Sequence, residues 1–435
     1  DLLIAGNAKN GVELYLQQPN GTMQKPLAMG RTSNSTHRIT DLAVADLNND
    51  QLPVIYVAQG GYGMGADGEF QPDYWLANQG DGRFSVAQAF PELSGPASTV
   101  AIGGTGPTAG YPLIFLGGHA ITGSYPLNER SYLLAADESG QYRSVELPEH
   151  NALRDLGLVN DAAWHDVDGD GQAELIVVGE WMPVTVLSTD GRSVRNVTAD
   201  YFPDSPNGWW YNLLLDDFNG DGRVDMLVGN EGLNNQYGAS SESPVTLYAA
   251  DQDNNGSIDP IFSYYIDGTR YPDLTRDELL SQLSGQRARY TNYASYADVT
   301  ADELEAGFEK EGHRMTADRL ETSLFLSGMD GKFKLAQLPI EAQYAPVYAS
   351  CSVDATGDGI PDIILGGNEV RARLRYGSSD ANAGTLLRGK GDGTFEYVPQ
   401  SSSGLRFTGS VRSLALFGDV LLVGVQEGDL TARAW

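Results

Sequence analysis

Cysteine is almost missing from this chain: Cys351 is the only one in 435 residues, so no disulfide can form within it. It stands in the apolar stretch from Val347 to Val353, where a small buried thiol is the expected role. An extracellular chain without disulfides has to find rigidity elsewhere, and bound metal can supply it. Basic residues are scarce too, with 28 Lys and Arg against 58 Asp and Glu and a formal net charge of −30. That balance argues against a nucleic-acid partner, whose phosphates are held by Lys and Arg. No run of about 18 apolar residues occurs, so no transmembrane helix is expected. There is no G-x-S-x-G elbow, no H-E-x-x-H and no P-loop. Histidines number five; His165 adjoins an acidic loop and His119 opens a long one, and a lone histidine is more often structural than catalytic.

The chain does have a recurring acidic loop. Residues 217–225 read DFNGDGRVD, 166–174 DVDGDGQAE, 251–259 DQDNNGSID and 354–362 DATGDGIPD. Oxygen side chains occupy positions 1, 3, 5 and 9, and Gly occupies position 6. Such spacing wraps oxygen ligands around a hard cation while Gly permits the sharp turn. The apolar runs on either side are too short for EF-hand helices and read as strands. Hairpin signals follow, with Asp-Gly turns in 74–84, 323–333 and 385–395. A unit of four antiparallel strands recurring every ~50–60 residues is what a β-propeller blade requires.

The expected fold is therefore all-β, a seven-bladed β-propeller, with blades over about 1–30, 37–90, 96–149, 158–201, 208–339, 345–399 and 404–435. The loops at Asp217 and Asp251 start too close together for a complete blade between them, which leaves six or eight blades open. The loop at Asp46 has decayed, with Gln51 in place of Gly and Val54 in place of the final acid. Asp1 reads as the ninth position of a further loop, so the chain is expected to start mid-blade as a fragment of a longer one. Within it, residues 271–321 read as a helical insertion, because Thr275 with Glu278 and Thr300 with Glu303 form capping boxes. Tyr290, Tyr293 and Tyr296 are expected to pack that insertion.

The loops and the apolar runs after them resemble the FG-GAP or VCBS repeats of integrin α-chain propellers. They resemble still more the bacterial VCBS-repeat proteins associated with ASPIC/UnbV domains, through 338–348, 366–380 and 409–412. The resemblance implies Ca2+ held by Asp166, Asp168, Asp170 and Glu174; by Asp217, Asn219, Asp221 and Asp225; by Asp251, Asp253, Asn255 and Asp259; and by Asp354, Thr356, Asp358 and Asp362. It also implies a secreted or cell-surface protein, outer-membrane-associated in a Gram-negative bacterium, that serves as a binding platform.

In such a blade the metal loop is the first connection, and the second connection emerges on the opposite face. Second connections begin at Asn7, Gly61, His119, Glu180, Asn230 and Asn368, and several are long, as at 60–72, 117–128 and 230–244. Long loops on a rigid scaffold are where function tends to lie. The candidate ligand-binding residues are His119, Glu180, Trp181, Asn230, Glu231, Asn368, Glu369 and Arg371, with Arg373, Arg375 and Tyr376 following. The expected function is non-catalytic: adhesion or assembly with an extracellular glycan or protein, with no nucleic acid. The alternatives are a structural subunit of a larger surface assembly, or a polysaccharide lyase using His119 and Arg371.

Overall fold

In the second strand of most sheets, alternate apolar residues serve different neighbours. Along Glu174–Pro183, Leu175 and Val177 pack towards the preceding sheet, and Ile176 and Val178 towards the following one. This is how consecutive sheets share cores, and it is the packing that a propeller needs. The computed structural model describes residues 1–5, 11–18, 20, 22–24, 27–29, 38–60, 72–80, 83–90, 93, 95–154, 156–308, 310–372, 375–426 and 428–434. Asn7, Gly61 and most of the 60–72 connection, together with Arg373, lie outside the described residues.

The architecture is all-β and propeller-like. Among the described residues, seven antiparallel sheets follow the repeat in chain order, with strands spanning 2–29, 38–89, 97–144, 158–196, 212–336, 347–398 and 411–434. Among the described residues the first and last hold three strands each, and the fourth gains a fifth strand, Asn207–Trp209. Separate clusters fill the gaps between neighbours: Val12 against Val57, Tyr56 against Ile114, Phe115 against Leu175, Val178 against Val228, Leu227 against Ile363, and Ile364 against Leu421.

An eighth sheet is inserted between the second and third strands of the fifth, which are Asp225–Gly229 and Ser323–Ser327. Its strands are Val245–Ala250, Asp259–Ile266, Thr269–Pro272 and His313–Ala317. The helical segment expected at 271–321 is thus part of a longer excursion with a sheet of its own. Helices Arg276–Gln282 and Ala301–Glu305 start at the expected capping boxes. They pack through Leu279, Leu283 and Leu304 onto Ile261, with Tyr290 and Tyr296 buried among them, while Tyr293 is exposed. The excursion also explains the closely spaced loops, because the loop at Asp251 connects the first two strands of the inserted sheet. Among the described residues no helix is long and apolar enough to cross a membrane.

One buried carboxylate makes stability pH-dependent. Asp73 accepts from the Gln59 amide at 2.7 Å and from the Tyr56 hydroxyl at 3.2 Å, and burial pushes it up to about 7. In the unfolded chain it ionises near its ordinary value of 3.8. Between those values the folded state keeps a proton that the unfolded state has released, so its stability contribution falls as pH rises from about 4 to 7. Asp73→Asn preserves both hydrogen bonds, with Nδ2 donating to Tyr56. The melting temperature of Asp73→Asn is expected to depend less steeply on pH across that window. An unchanged slope would assign the effect to other groups.

Candidate functional site

The acidic loops share one conformation. In the loop at Asp217, that carboxylate accepts from the amides of Gly220, Asp221 and Gly222 at 2.7–3.1 Å. Asp166 and Asp354 do the same for their own loops. Positions 4 and 6 both have positive φ, as at Gly220 (74°) and Gly222 (82°). Asn49 (57°) and Gln51 (67°) hold these angles in the decayed loop, which keeps its shape without its final acid. The ninth residues Glu174, Asp225, Asp259 and Asp362 are buried, and each accepts from the amide of position 2, for example Phe218 to Asp225 at 3.0 Å. Asp225 also accepts from Ser327 at 2.8 Å and Asp362 from Gly389 at 2.8 Å, which ties the loop to the third strand.

These donor sets suit a hard divalent cation. Carboxylate oxygens of Asp166, Asp168 and Glu174 lie within 4.8 Å of one another, as do those of Asp251, Asp253 and Asp259. Burial pushes Asp225 up to about 6, with Asp221 and Asp217 adding to the effect, so a bound cation would relieve a real electrostatic cost. At Asp251 that cost is partly met already, by Lys310 Nζ at 3.8 Å. The loop at Asp46 has only Asp46 and Asp50 as carboxylates and does not fit.

At the other end of the strands, the first strand of five sheets carries one extra residue. Register breaks leave Thr40, Ser98, Asn160, Tyr348 and Arg412 as bulges. Tyr211 takes the matching place just before Asn212–Asp216. In the second, third and fourth sheets the bulge is small and polar and bonds to the next sheet's backbone: Thr40 to Ala97 O at 2.6 Å, Ser98 to Val159 O at 2.7 Å, and Asn160 to Trp210 O at 2.8 Å. In the last three it is large. Tyr211 and Tyr348 have ring centroids 4.4 Å apart, and the Arg412 guanidinium lies 3.8 Å over the Tyr348 ring.

Glutamates from the second connections meet these side chains. Glu231 accepts from the Tyr211 hydroxyl at 3.0 Å, and Glu369 pairs with Arg412 at 2.8 Å. Glu180 accepts from the Tyr125 hydroxyl at 3.1 Å and stands 3.6 Å from His119 Nε2. Burial pushes Glu231 up to about 7; the Tyr211 hydrogen bond opposes this, and the charges of Glu180 and Glu369 add to it. Burial and the same glutamates raise Tyr211 and Tyr348 well above the usual tyrosine range. The excursion leans over this mouth: Arg375 and Tyr376 both bond to Asp273, and Tyr237 feels the Glu231 charge.

The structure therefore brings together Glu180, Glu231, Glu369 and His119 from the sequence candidates, and turns three others inward. Trp181, at φ 62°, is 7% exposed, packs on Trp209 and Phe262, and donates to Tyr125. Asn230 is fully buried and donates to Arg319 O at 3.0 Å. Asn368 is buried and exchanges two hydrogen bonds with the Asn382 backbone. These three hold loops, because a polar side chain at a blade end can satisfy backbone groups that would otherwise be orphaned. Arg371 is exposed on its loop, with its amide bonded to Glu369. Sequence reading missed Tyr211, Tyr348 and Arg412. A signal existed: Asn160, Tyr211 and Tyr348 each stand six residues before a loop's first aspartate, at 166, 217 and 354.

Among solved structures, similarity extends to Chaetomium thermophilum Sqt1 (10% identity, 89% of this chain and 80% of that one, TM-score 0.38). It extends also to the V. cholerae biofilm matrix protein Bap1 (11%, 95% and 72%, TM-score 0.35). A candidate 6-phosphogluconolactonase of Bacteroides uniformis gives 12%, 92% and 94%, with a TM-score of 0.35. No curated protein matches the sequence. Residues 166–228, which include the loops at Asp166 and Asp217, match the FG-GAP-like repeat.

Proposed function

We propose that this protein is a non-catalytic, calcium-stabilised propeller, secreted or on the cell surface, that binds a glycan or protein through the mouth formed by Tyr211, Glu231, Tyr348, Glu369 and Arg412. Ca2+ would be held by the four complete loops and would neutralise their clustered carboxylates. The observation that carries the binding reading is the change in the bulges. Small polar residues suffice to latch one sheet to the next, yet the last three places hold two tyrosines and an arginine gathered against glutamates. The finer kinship, to VCBS-repeat proteins associated with ASPIC/UnbV domains, fits this reading, since the segments that carry it contain Tyr348, Glu369 and Arg412. The lyase alternative requires metal beside the base. In the fifth sheet the loop end at Asp225 and the mouth at Glu231 are separated by six residues, about 20 Å of strand.

A glycan array with the calcium-loaded protein tests the reading. Binding is expected, and Tyr348→Ala is expected to reduce it at least tenfold while leaving the melt within a few degrees. Binding that Tyr348→Ala leaves intact would place the ligand elsewhere. No glycan binding would favour the protein-partner or structural-subunit readings.

A further inference from the structure

Glu231 differs from the other two glutamates of the mouth: among the described residues no basic side chain is paired with it. Arg412 is taken by Glu369, and His119 stands at Glu180. Glu231 is half-buried, and the hydrogen bond to its carboxylate comes from the neutral Tyr211 hydroxyl. Its electrostatic neighbours are Glu180 and Glu369, both of its own sign, and among the described residues no Lys or Arg acts on it. Burying a carboxylate among like charges is costly unless an opposite charge arrives. Aromatic rings stand around it: Tyr211 bonded to it, Tyr348 stacked beyond, and Tyr237 within reach of its charge. Ring faces beside a carboxylate attract a positively charged group twice over, through the ring quadrupole and through the charge. Arg412, already lying over Tyr348, shows the same preference within the chain.

Taking the mouth as the binding site, we propose that it accepts a ligand bearing an ammonium group, with Glu231 as the counter-ion and Tyr211 and Tyr348 as the wall. The ammonium could be carried by an amino sugar or by a lysine side chain. Because burial holds Glu231 partly protonated near neutrality, affinity for an ammonium of constant charge rises from pH 6 to 8 as the carboxylate ionises.

Titration calorimetry with the full chain in calcium buffer distinguishes the outcomes. The probes are a glucosamine tetramer, its N-acetylated counterpart, N-acetyl-lysine amide and the same compound acetylated on its side chain. Binding of an ammonium probe at least tenfold tighter than its acetylated counterpart, lost in Glu231→Gln, is expected; whichever pair shows it identifies the source. Glu231→Gln removes charge without changing shape, and its melt reports that it is folded. If acetylated probes bind equally well and Glu231→Gln is silent, the mouth remains a binding site and the ammonium inference falls. If no probe binds, the inference also falls, and the mouth is then judged by the glycan array alone.

Discussion

Excess chelator is expected to lower the melting temperature by about 5 °C or more. With free calcium at ten times a site's Kd, each occupied loop contributes about 1.4 kcal/mol by mass action. Four loops then contribute about 5.6 kcal/mol, the scale of a domain's net stability. An unfolding entropy of about 2.1 cal/mol/K per residue converts this to about 6 °C for a chain of 435 residues. The loss has a structural route. Without the ion, Asp217, Asp221 and buried Asp225 repel one another, and Asp225 is the residue that ties the loop to Ser327 in the third strand. The effect should begin in the second-to-third-strand packing of the fifth and sixth sheets, where Asp225 and Asp362 make that tie. The loop at Asp46 should contribute nothing, since its shape persists on turn geometry alone. An unchanged melt in chelator, with no metal found by elemental analysis, would sink the calcium reading.

The loops were legible because their conformation is dictated residue by residue: a carboxylate at position 1 collects amides, and Gly accepts a positive φ. The sheets were legible through alternation. The sequence marks only the helical part of the excursion, because Val245–Ala250 looks like any blade strand, and only its pairing with Asp259–Ile266 and His313–Ala317 reveals a separate sheet. The mouth was half legible. Its glutamates follow second strands in an obvious place, but a bulge moves one residue out of register without requiring any particular residue type, so Tyr348 and Arg412 looked like ordinary strand positions. Conversely, positive φ at Trp181 and Asn368 turns side chains inward that sequence order alone would leave on the rim.

Gly229→Ala is expected to destabilise the protein by about 3 kcal/mol, even though alanine is ordinarily the better strand residue by about 0.5–1 kcal/mol. Gly229 ends the second strand of the fifth sheet, where the first strand of the sixth passes close by. A Cβ there would sit 2.3 Å from both Val347 O and Asn212 Oδ1. Related close approaches recur along the chain: a Cβ at Gly117 would meet Val159 Cγ1 at 2.5 Å, one at Gly366 would meet Val411 Cγ1 at 2.7 Å, and one at Gly60 would meet Pro96 Cβ at 2.7 Å. Glycine at the end of the second strand is thus what lets the next sheet close in. At Gly117 and Gly366 the nearest obstacle is a side chain with some freedom to turn. At Gly229 one obstacle is a backbone carbonyl, and the other is Asn212, held by its bond to Ser350 at 2.6 Å, so the strands themselves must part. Parting them disturbs the core that Leu227 shares with Ile363 and Leu365. Gly285→Ala serves as the control, because a Cβ there meets nothing within 4 Å, and it should be neutral or slightly stabilising. Denaturant melts of the two variants decide the matter: matching midpoints would mean that the fifth and sixth sheets do not approach as closely as this packing requires.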